Sequence, residues 1–318
     1  MKRKAVSTEH KKSKKPKPEK PEKPDAMRDM LRYTKRFKRF AKLHTKLLAL
    51  DAMIGMCEVK LRVVEQLQFL MCNGGQTDGH FLHTVIRGPS GCGKTTLARV
   101  LYELWSELKT VPGEFVVLQR SDLVGGYMGQ TAVKTKKTLM KHRGGCIFID
   151  EFYSLVYGDD TYGKECVDVL NTFMSEESDT VVIVAGYKDE MQRVFTAQPG
   201  LRRRFAWTFT IPRYTASELF RIFTAQLKLH GWGLEPSGEP SGEPSGEPSG
   251  EGVEDLFVRG YSLFEFAGGD TFNLCLKSKI EYAKRHWKEG GSKKLSVEDV
   301  RRAMAQHFTK KKYNSMYI

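Results

Sequence analysis

Residues Val85 to Thr96 read VIRGPSGCGKTT, and no other stretch constrains the chain as much. A largely apolar run, Leu82 to Ile86, leads into Gly88-Pro89-Ser90-Gly91-Cys92-Gly93-Lys94-Thr95, which fits G-x-x-x-x-G-K-[ST] at every fixed position. Strand signals precede it and helix signals follow it. Glycines at this spacing let successive backbone N–H groups turn inward around phosphate oxygens, and the next helix offers its N-terminus to the anion. Lys94 then neutralises phosphate charge and the Thr95 hydroxyl ligates Mg²⁺, so the stretch predicts a nucleotide site and an α/β fold around it.

A second centre is Cys146-Ile147-Phe148-Ile149-Asp150-Glu151. Four apolar residues ending in two acids predict a buried strand that delivers both carboxylates at its C-terminal edge, where open α/β sheets bind ligands. Asp150 is placed to hold Mg²⁺ and Glu151 to polarise an attacking water. Further buried strands are predicted at Phe115 to Leu118, Thr180 to Ala185 and about Trp207 to Ile211, with helices at about 57–71, 95–109 and 131–143 between them. Arg202-Arg203-Arg204 lies after a Pro-Gly-Leu turn, just before the last strand.

From Thr215 the alternation ends and helices take over. Thr215-Ala216-Ser217-Glu218 is a capping box, and Ser296 caps a last helix to about Phe308; others are expected at Val253 to Phe266 and Thr271 to Lys288. Four copies of Glu-Pro-Ser-Gly at 235–250 read as a flexible insertion. The expected organisation is a disordered basic tail at 1–26, one basic amphipathic helix at 27–49, an α/β domain at 50–212 and a helical lid at 213–318, with the insertion at 235–252.

Charge separates the N-terminus from the rest. Residues 1–47 hold 18 Lys/Arg against 5 Asp/Glu, a net +13 of the chain's +14. That arm suits nucleic acid, a nuclear address or simple solvation, and the helical part suits packing on the adjacent domain. No run approaches a membrane span, and the lysine-rich start lacks the apolar region of a secretory signal. Six scattered cysteines without C-x-x-C pairs argue against zinc and for reduced thiols, and the predicted setting is intracellular, cytoplasmic or nuclear.

Taken together these residues resemble the AAA+ ATPases, in the branch containing red-type Rubisco activase and stage V sporulation protein K. The carrying stretches are RSDLVGGYMGQTAVKTK (120–136), CIFIDEFYSL (146–155), YGKECVDVLNTFM (162–174), VVIVAGYKDEM (181–191) and QPGLRRRF (198–205). The lid stretch FAGGDTFNL (266–274) is similar to ATPases of large DNA viruses. The resemblance implies an α/β ATPase domain with a small helical lid, assembled into a ring, commonly a hexamer, with ATP between subunits. It implies that Ile54 and Gly55 contact adenine and that Pro89 to Thr96, including Ser90, Cys92 and Thr96, hold the phosphates with Mg²⁺. Glu151 and Lys94 act in catalysis, Arg204 is the finger given to a neighbouring subunit (with Arg203 or Arg202 as substitutes), and Tyr127-Met128 line a pore that grips a protein substrate. Tyr187 stands where many relatives carry a sensor asparagine. Gly269 and Phe272 stand where the branch has lid arginines, so the second sensor is expected to be missing, with Lys277 as its possible stand-in. Two readings follow: a ring that remodels or threads protein, or a nucleic-acid-associated motor using residues 1–47.

Overall fold

A computed structural model describes residues 25–77, 82–127, 129–156, 161–236, 252–288 and 291–314. The expected tail before Asp25, most of the Glu-Pro-Ser-Gly stretch, and Met128 lie outside the described residues.

The N-terminal helices are α1 (Asp25–Arg36), α2 (Ala41–Ala52) and α3 (Cys57–Cys72). The α/β unit runs β1 (Thr84–Arg87), α4 (Lys94–Glu107), β2 (Phe115–Leu118), α5 (Arg120–Leu123), α6 (Gln130–Lys141), β3 (Cys146–Ile149), α7 (Thr161–Glu176), β4 (Val181–Gly186), α8 (Lys188–Ala197), α9 (Pro199–Arg202) and β5 (Trp207–Thr210). Its helical continuation comprises α10 (Ala216–Leu229), β6 (Gly233–Leu234), α11 (Val253–Arg259), α12 (Ala267–His286), β7 (Lys294–Leu295) and α13 (Val297–Asn314).

Among the described residues the main sheet has the order β2-β3-β4-β1-β5 and every pairing in it is parallel. All of β3 and β4 is buried, as strands covered on both faces must be. The two-residue period splits their side chains. Val85, Ile147, Ile149, Val182 and Val184 pack under α6, α7 and α8, whereas Ile86, Phe148, Ile183 and Ala185 join α4 and the helical continuation in the larger core. A parallel sheet of this kind leaves its C-terminal strand edges, after Arg87, Ile149 and Gly186, on one rim of the molecule.

Two expectations need correction. The single basic helix at 27–49 is two helices, because Phe37 is extended (φ −112°, ψ 119°) and a 3-10 turn, Lys38–Phe40, follows. That break packs Phe37 and Phe40 at a tilt against Tyr33, with ring centroids 5.0 and 5.8 Å away. The packing expected for this region is present: Met27, Met30, Leu43, Leu47 and Leu50 are buried in the same core as Leu101 and Trp105 of α4. Lastly, the helix expected to Phe266 stops at Arg259, and the one expected from Thr271 starts four residues early at Ala267. The Asp270 carboxylate accepts from Phe266 N–H (2.8 Å) and stabilises that earlier start. The two predicted caps are formed. Thr215 Oγ1 accepts from Glu218 N–H while Glu218 returns a bond to Thr215 N–H, and Ser296 Oγ accepts from Asp299 N–H.

Candidate nucleotide site

The site begins where β1 ends. Gly91 (φ +68°) and Gly93 (φ +90°) both take the left-handed backbone that turns the chain into α4. Lys94 is the first residue of α4, so its N–H and those beside it are free of intrahelical partners and face the rim. The Lys94 ammonium donates back to the carbonyls of Pro89 (2.9 Å) and Gly88 (3.3 Å) and lies 5.3 Å from the Tyr187 ring centroid. Ser90 is half-buried, and Thr95 and Thr96 are exposed at the mouth. Cys92 is different: it is buried, and burial pushes its thiol up, so it fills the loop as a small apolar residue rather than a thiolate.

The sheet brings the second motif alongside. Thr95 Oγ1 donates to Asp150 Oδ2 at 3.4 Å across 55 residues of sequence, and Asp150 Oδ1 accepts from Glu151 N–H at 2.9 Å. Glu151 is exposed and has φ +47°, a left-handed conformation that costs a non-glycine residue about 1 kcal/mol or more. Strain of that sort turns the chain abruptly out of β3, into a 3-10 turn at Phe152–Leu155. Tyr153 on this turn packs at a tilt against Tyr187 at the tip of β4, ring centroids 5.7 Å apart. Burial first, then the charge of Glu151, push the Tyr153 phenol up to about 12. A hydroxyl on the loop and a carboxylate on the neighbouring strand thus share one point, two oxygen donors suited to a divalent cation, and the ammonium nearby suits an anion.

Gly55 lies close to this site. A Cβ at Gly55 would come within 2.6 Å of Glu218 Oε1 and 3.2 Å of the Tyr214 ring, and Met56 lies against Gly93. Sequence reasoning missed Tyr214, whose hydroxyl donates to the Cys92 carbonyl at 2.8 Å and joins the root of α10 to the phosphate loop. It also missed how closely α12 approaches. Gly268 N–H donates to the Gly91 carbonyl at 3.1 Å, and a Cβ on Gly91 would sit 2.2 Å from the Phe266 carbonyl oxygen. Lys277 lies nine residues, about 14 Å of helix, beyond Gly268 on α12.

Two singled-out residues stand apart from the site. Arg204 precedes β5, at the N-terminal edge of the sheet, while the phosphate loop follows β1 at the C-terminal edge. Its Nε donates to Ser175 Oγ (2.7 Å) and its Nη1 to the Gly200 carbonyl (2.8 Å). Tyr127 is 74 % exposed on the loop between α5 and α6.

Comparison with known proteins settles the family. Residues 84–213 match the model described as ATPase family associated with various cellular activities (AAA). The chloroplastic Rubisco activase of Cyanidioschyzon merolae is 36 % identical over 59 % of this chain and 67 % of its own. The chain is an AAA ATPase. A putative cfxQ-like protein of Acanthamoeba polyphaga mimivirus is 29 % identical over 88 % of this chain and 70 % of its own, so the likeness to viral relatives extends through the lid. Stage V sporulation protein K of Bacillus subtilis is 35 % identical over 54 % of this chain and 56 % of its own. Among solved structures, the Holliday-junction branch-migration motor RuvB of Thermotoga maritima has the same fold (TM-score 0.54, 19 % identity, 81 % of this chain and 71 % of that one). A katanin structure concerned with self-assembly is similar at TM-score 0.53 and 18 % identity, covering 80 % of this chain and 83 % of that one. Among the described residues no helix is long and apolar enough to cross a membrane.

Proposed function

We propose that this AAA ATPase hydrolyses ATP with Mg²⁺ and uses the turnover, as a ring of identical subunits, to remodel or thread a protein substrate. The observation that carries this reading is the meeting of Thr95 with Asp150 at 3.4 Å, with Glu151 next in line. Mg²⁺ bound there neutralises charge on the phosphate oxygens. The loop N–H groups from Gly91 to Thr96 cradle the phosphates, and Ile54 with Gly55 lies against the base. Lys94 leaves the carbonyls of Gly88 and Pro89 for the phosphate, a better partner for an ammonium than two neutral carbonyls. Glu151, exposed at the rim, takes a proton from the attacking water. Arg204 cannot serve its own site from the opposite sheet edge and is delivered to a neighbouring subunit's phosphate, where a cation in trans stabilises the transferred group. Tyr127, with Met128 beside it, offers an aromatic grip to an extended chain.

Phosphate release by the purified chain tests the reading. Hydrolysis that needs Mg²⁺, falls at least ~100-fold in Glu151→Gln and leaves ATP bound in that variant is the expected result. Glu151→Gln turning over like the parent refutes the assignment of the base. Duplex DNA is expected to leave the rate unchanged; stimulation that fades with salt transfers support to the nucleic-acid motor.

A further inference from the structure

The break between α1 and α2 gathers three rings and five cations that the nucleotide site does not use. Phe37 and Phe40 both lean on Tyr33, and guanidiniums flank the cluster. Arg39 lies 4.6 Å from the Phe40 centroid and 5.7 Å from that of Phe37, and Arg36 also lies 5.7 Å from Phe37. Tyr33 (43 %) and Phe37 (37 %) still expose much of their surface to water. Beside them α1, the 3-10 turn and α3 border a cleft of about 570 Å³. Its walls are Met30, Tyr33, Phe40 and Met71, and Arg39 and Gln68 add polar groups to the lining. The Gln68 amide is exposed, with no hydrogen-bond partner among the described residues. Charge singles out the same place. Residues 25–47 hold eight Lys/Arg and two Asp/Glu. Arg28 pairs with Asp25 and Arg32 with Asp29 at 3.6 Å, and Lys46 pairs with Glu103 at 2.9 Å. The other five, Lys35, Arg36, Lys38, Arg39 and Lys42, are exposed and have no carboxylate partner among the described residues.

We propose that this face binds single-stranded nucleic acid. The five cations meet phosphates, Tyr33 and Phe37 lie against the faces of bases, and one base enters the cleft, where Gln68 offers its edge a donor and an acceptor. The cleft has the volume of a small-ligand site. The alternatives fit less of the surface. A membrane requires an apolar stripe free to insert, and here that stripe is already used: Met27, Met30, Leu43 and Leu47 are buried in the core. A duplex keeps its base faces stacked, which leaves the rings and the cleft nothing to hold. An acidic peptide satisfies the cations but brings no flat rings for Tyr33 and Phe37. Neither Arg204 nor the phosphate loop enters this proposal, and it stands whether or not the chain forms a ring. Residues 1–24 add ten Lys/Arg against three Glu just ahead of α1, so a test has to separate contacts to bases from contacts to phosphates.

The test is fluorescence anisotropy of a labelled thymidine strand of about 15 nucleotides with the full-length chain, free of ATP, at about 50 and 200 mM salt. The parent is expected to bind this strand at least about 10-fold more tightly than an abasic strand of equal length, and to prefer it to duplex by a similar factor. Tyr33→Leu combined with Phe37→Leu keeps the charge and the apolar bulk; it is expected to lose about 10-fold or more in affinity with the salt dependence unchanged. Lys35→Gln, Arg36→Gln and Arg39→Gln together are expected to flatten the slope of log K against log salt by about 2, from three contacts at about 0.7 each. All five positions are exposed, so both variants keep the parent's melting temperature and its affinity for fluorescent ADP. Equal binding of the abasic and thymidine strands overturns the proposal without recourse to any variant, as does a parent that binds no strand. Parental affinity in the Tyr33 and Phe37 double variant overturns it and leaves charge alone as the contact. Polyglutamate that displaces the strand at equal charge concentration also overturns it and assigns the surface to an acidic protein.

Discussion

His83 gives a prediction whose size follows from its surroundings. It lies one residue before β1, is 1 % exposed, and its Nδ1 accepts from Val182 N–H at 3.0 Å, which requires the neutral Nε2–H tautomer facing the Met174 carbonyl. Burial, reinforced by the nearby Arg204 charge and partly offset by the Met174 carbonyl, pushes its pKa down from 6.5 to about 4. Between those values the unfolded chain binds a proton that the folded chain refuses, so stability falls as pH falls from about 6.5 towards 4 and is flat outside that window. At about 1.36 kcal/mol per unit the whole loss is about 3 kcal/mol, of which about 2 kcal/mol appears between pH 7 and pH 5. Urea unfolding of the parent and of His83→Asn at those two pH values isolates the contribution, because the variant keeps every other titrating group. The variant is expected to be less stable at pH 7 but to lose about 2 kcal/mol less on acidification. Equal losses in the two proteins, or an imidazole proton resonance titrating near 6.5, refute the reasoning.

Two other contacts give simpler expectations. Tyr214→Phe removes the hydroxyl that donates to the Cys92 carbonyl while keeping the buried ring; a cost of about 1–2 kcal/mol in thermal unfolding is expected, with ADP bound several-fold more weakly because the loop loses a tether. Asp299 is 1 % exposed, pairs with Arg285 through both oxygens (2.8 and 2.5 Å) and also accepts from Ser296; Asp299→Ala is expected to cost about 2–3 kcal/mol in urea, held to that range because Arg285 can return to water.

What could be read from the sequence was what backbone geometry dictates locally. Gly91, Gly93 and the acids after Phe148 announce themselves because a phosphate cradle and a strand-end carboxylate pair require fixed spacings, and the caps at Thr215 and Ser296 are equally local. The strand order was a different matter. Nothing in the apolar runs at 146–149 or 181–186 says that β4 lies between β3 and β1, since that follows from crossover packing. The break at Phe37 depends on ring contacts with Tyr33 inside a lysine- and arginine-rich pattern that looks evenly helical. The start of α12 was misplaced because Gly268 and Gly269 are weak helix formers. The structure favours helix there by Asp270 capping and by contact with a loop 177 residues earlier in the chain.

That contact ties the lid to the phosphate loop through main chain alone. Gly268 N–H bonds the Gly91 carbonyl directly, and the Gly268 carbonyl is held from behind by Gln226 Nε2 (3.1 Å) and Thr271 Oγ1 (3.0 Å). A lid joined to the phosphate loop by main chain needs room rather than charge. A Cβ on Gly268 would come 2.8 Å from the Gly91 oxygen, whereas one on Gly269 would meet its nearest neighbour, Phe266 Cβ, at an ordinary 3.9 Å. Gly268→Ala therefore has to push α12 off the loop and lose the bond, worth about 1 kcal/mol and so roughly a five- to tenfold loss of ADP affinity. Gly269→Ala removes the same glycine flexibility from the same helical turn, and is expected to bind ADP like the parent and to melt slightly higher. Titration of both variants with fluorescent ADP separates steric contact from helix propensity. If Gly269→Ala weakened binding as much as Gly268→Ala, the effect would belong to the turn as a whole, and the lid would be sensing nucleotide by some route other than the Gly91 carbonyl.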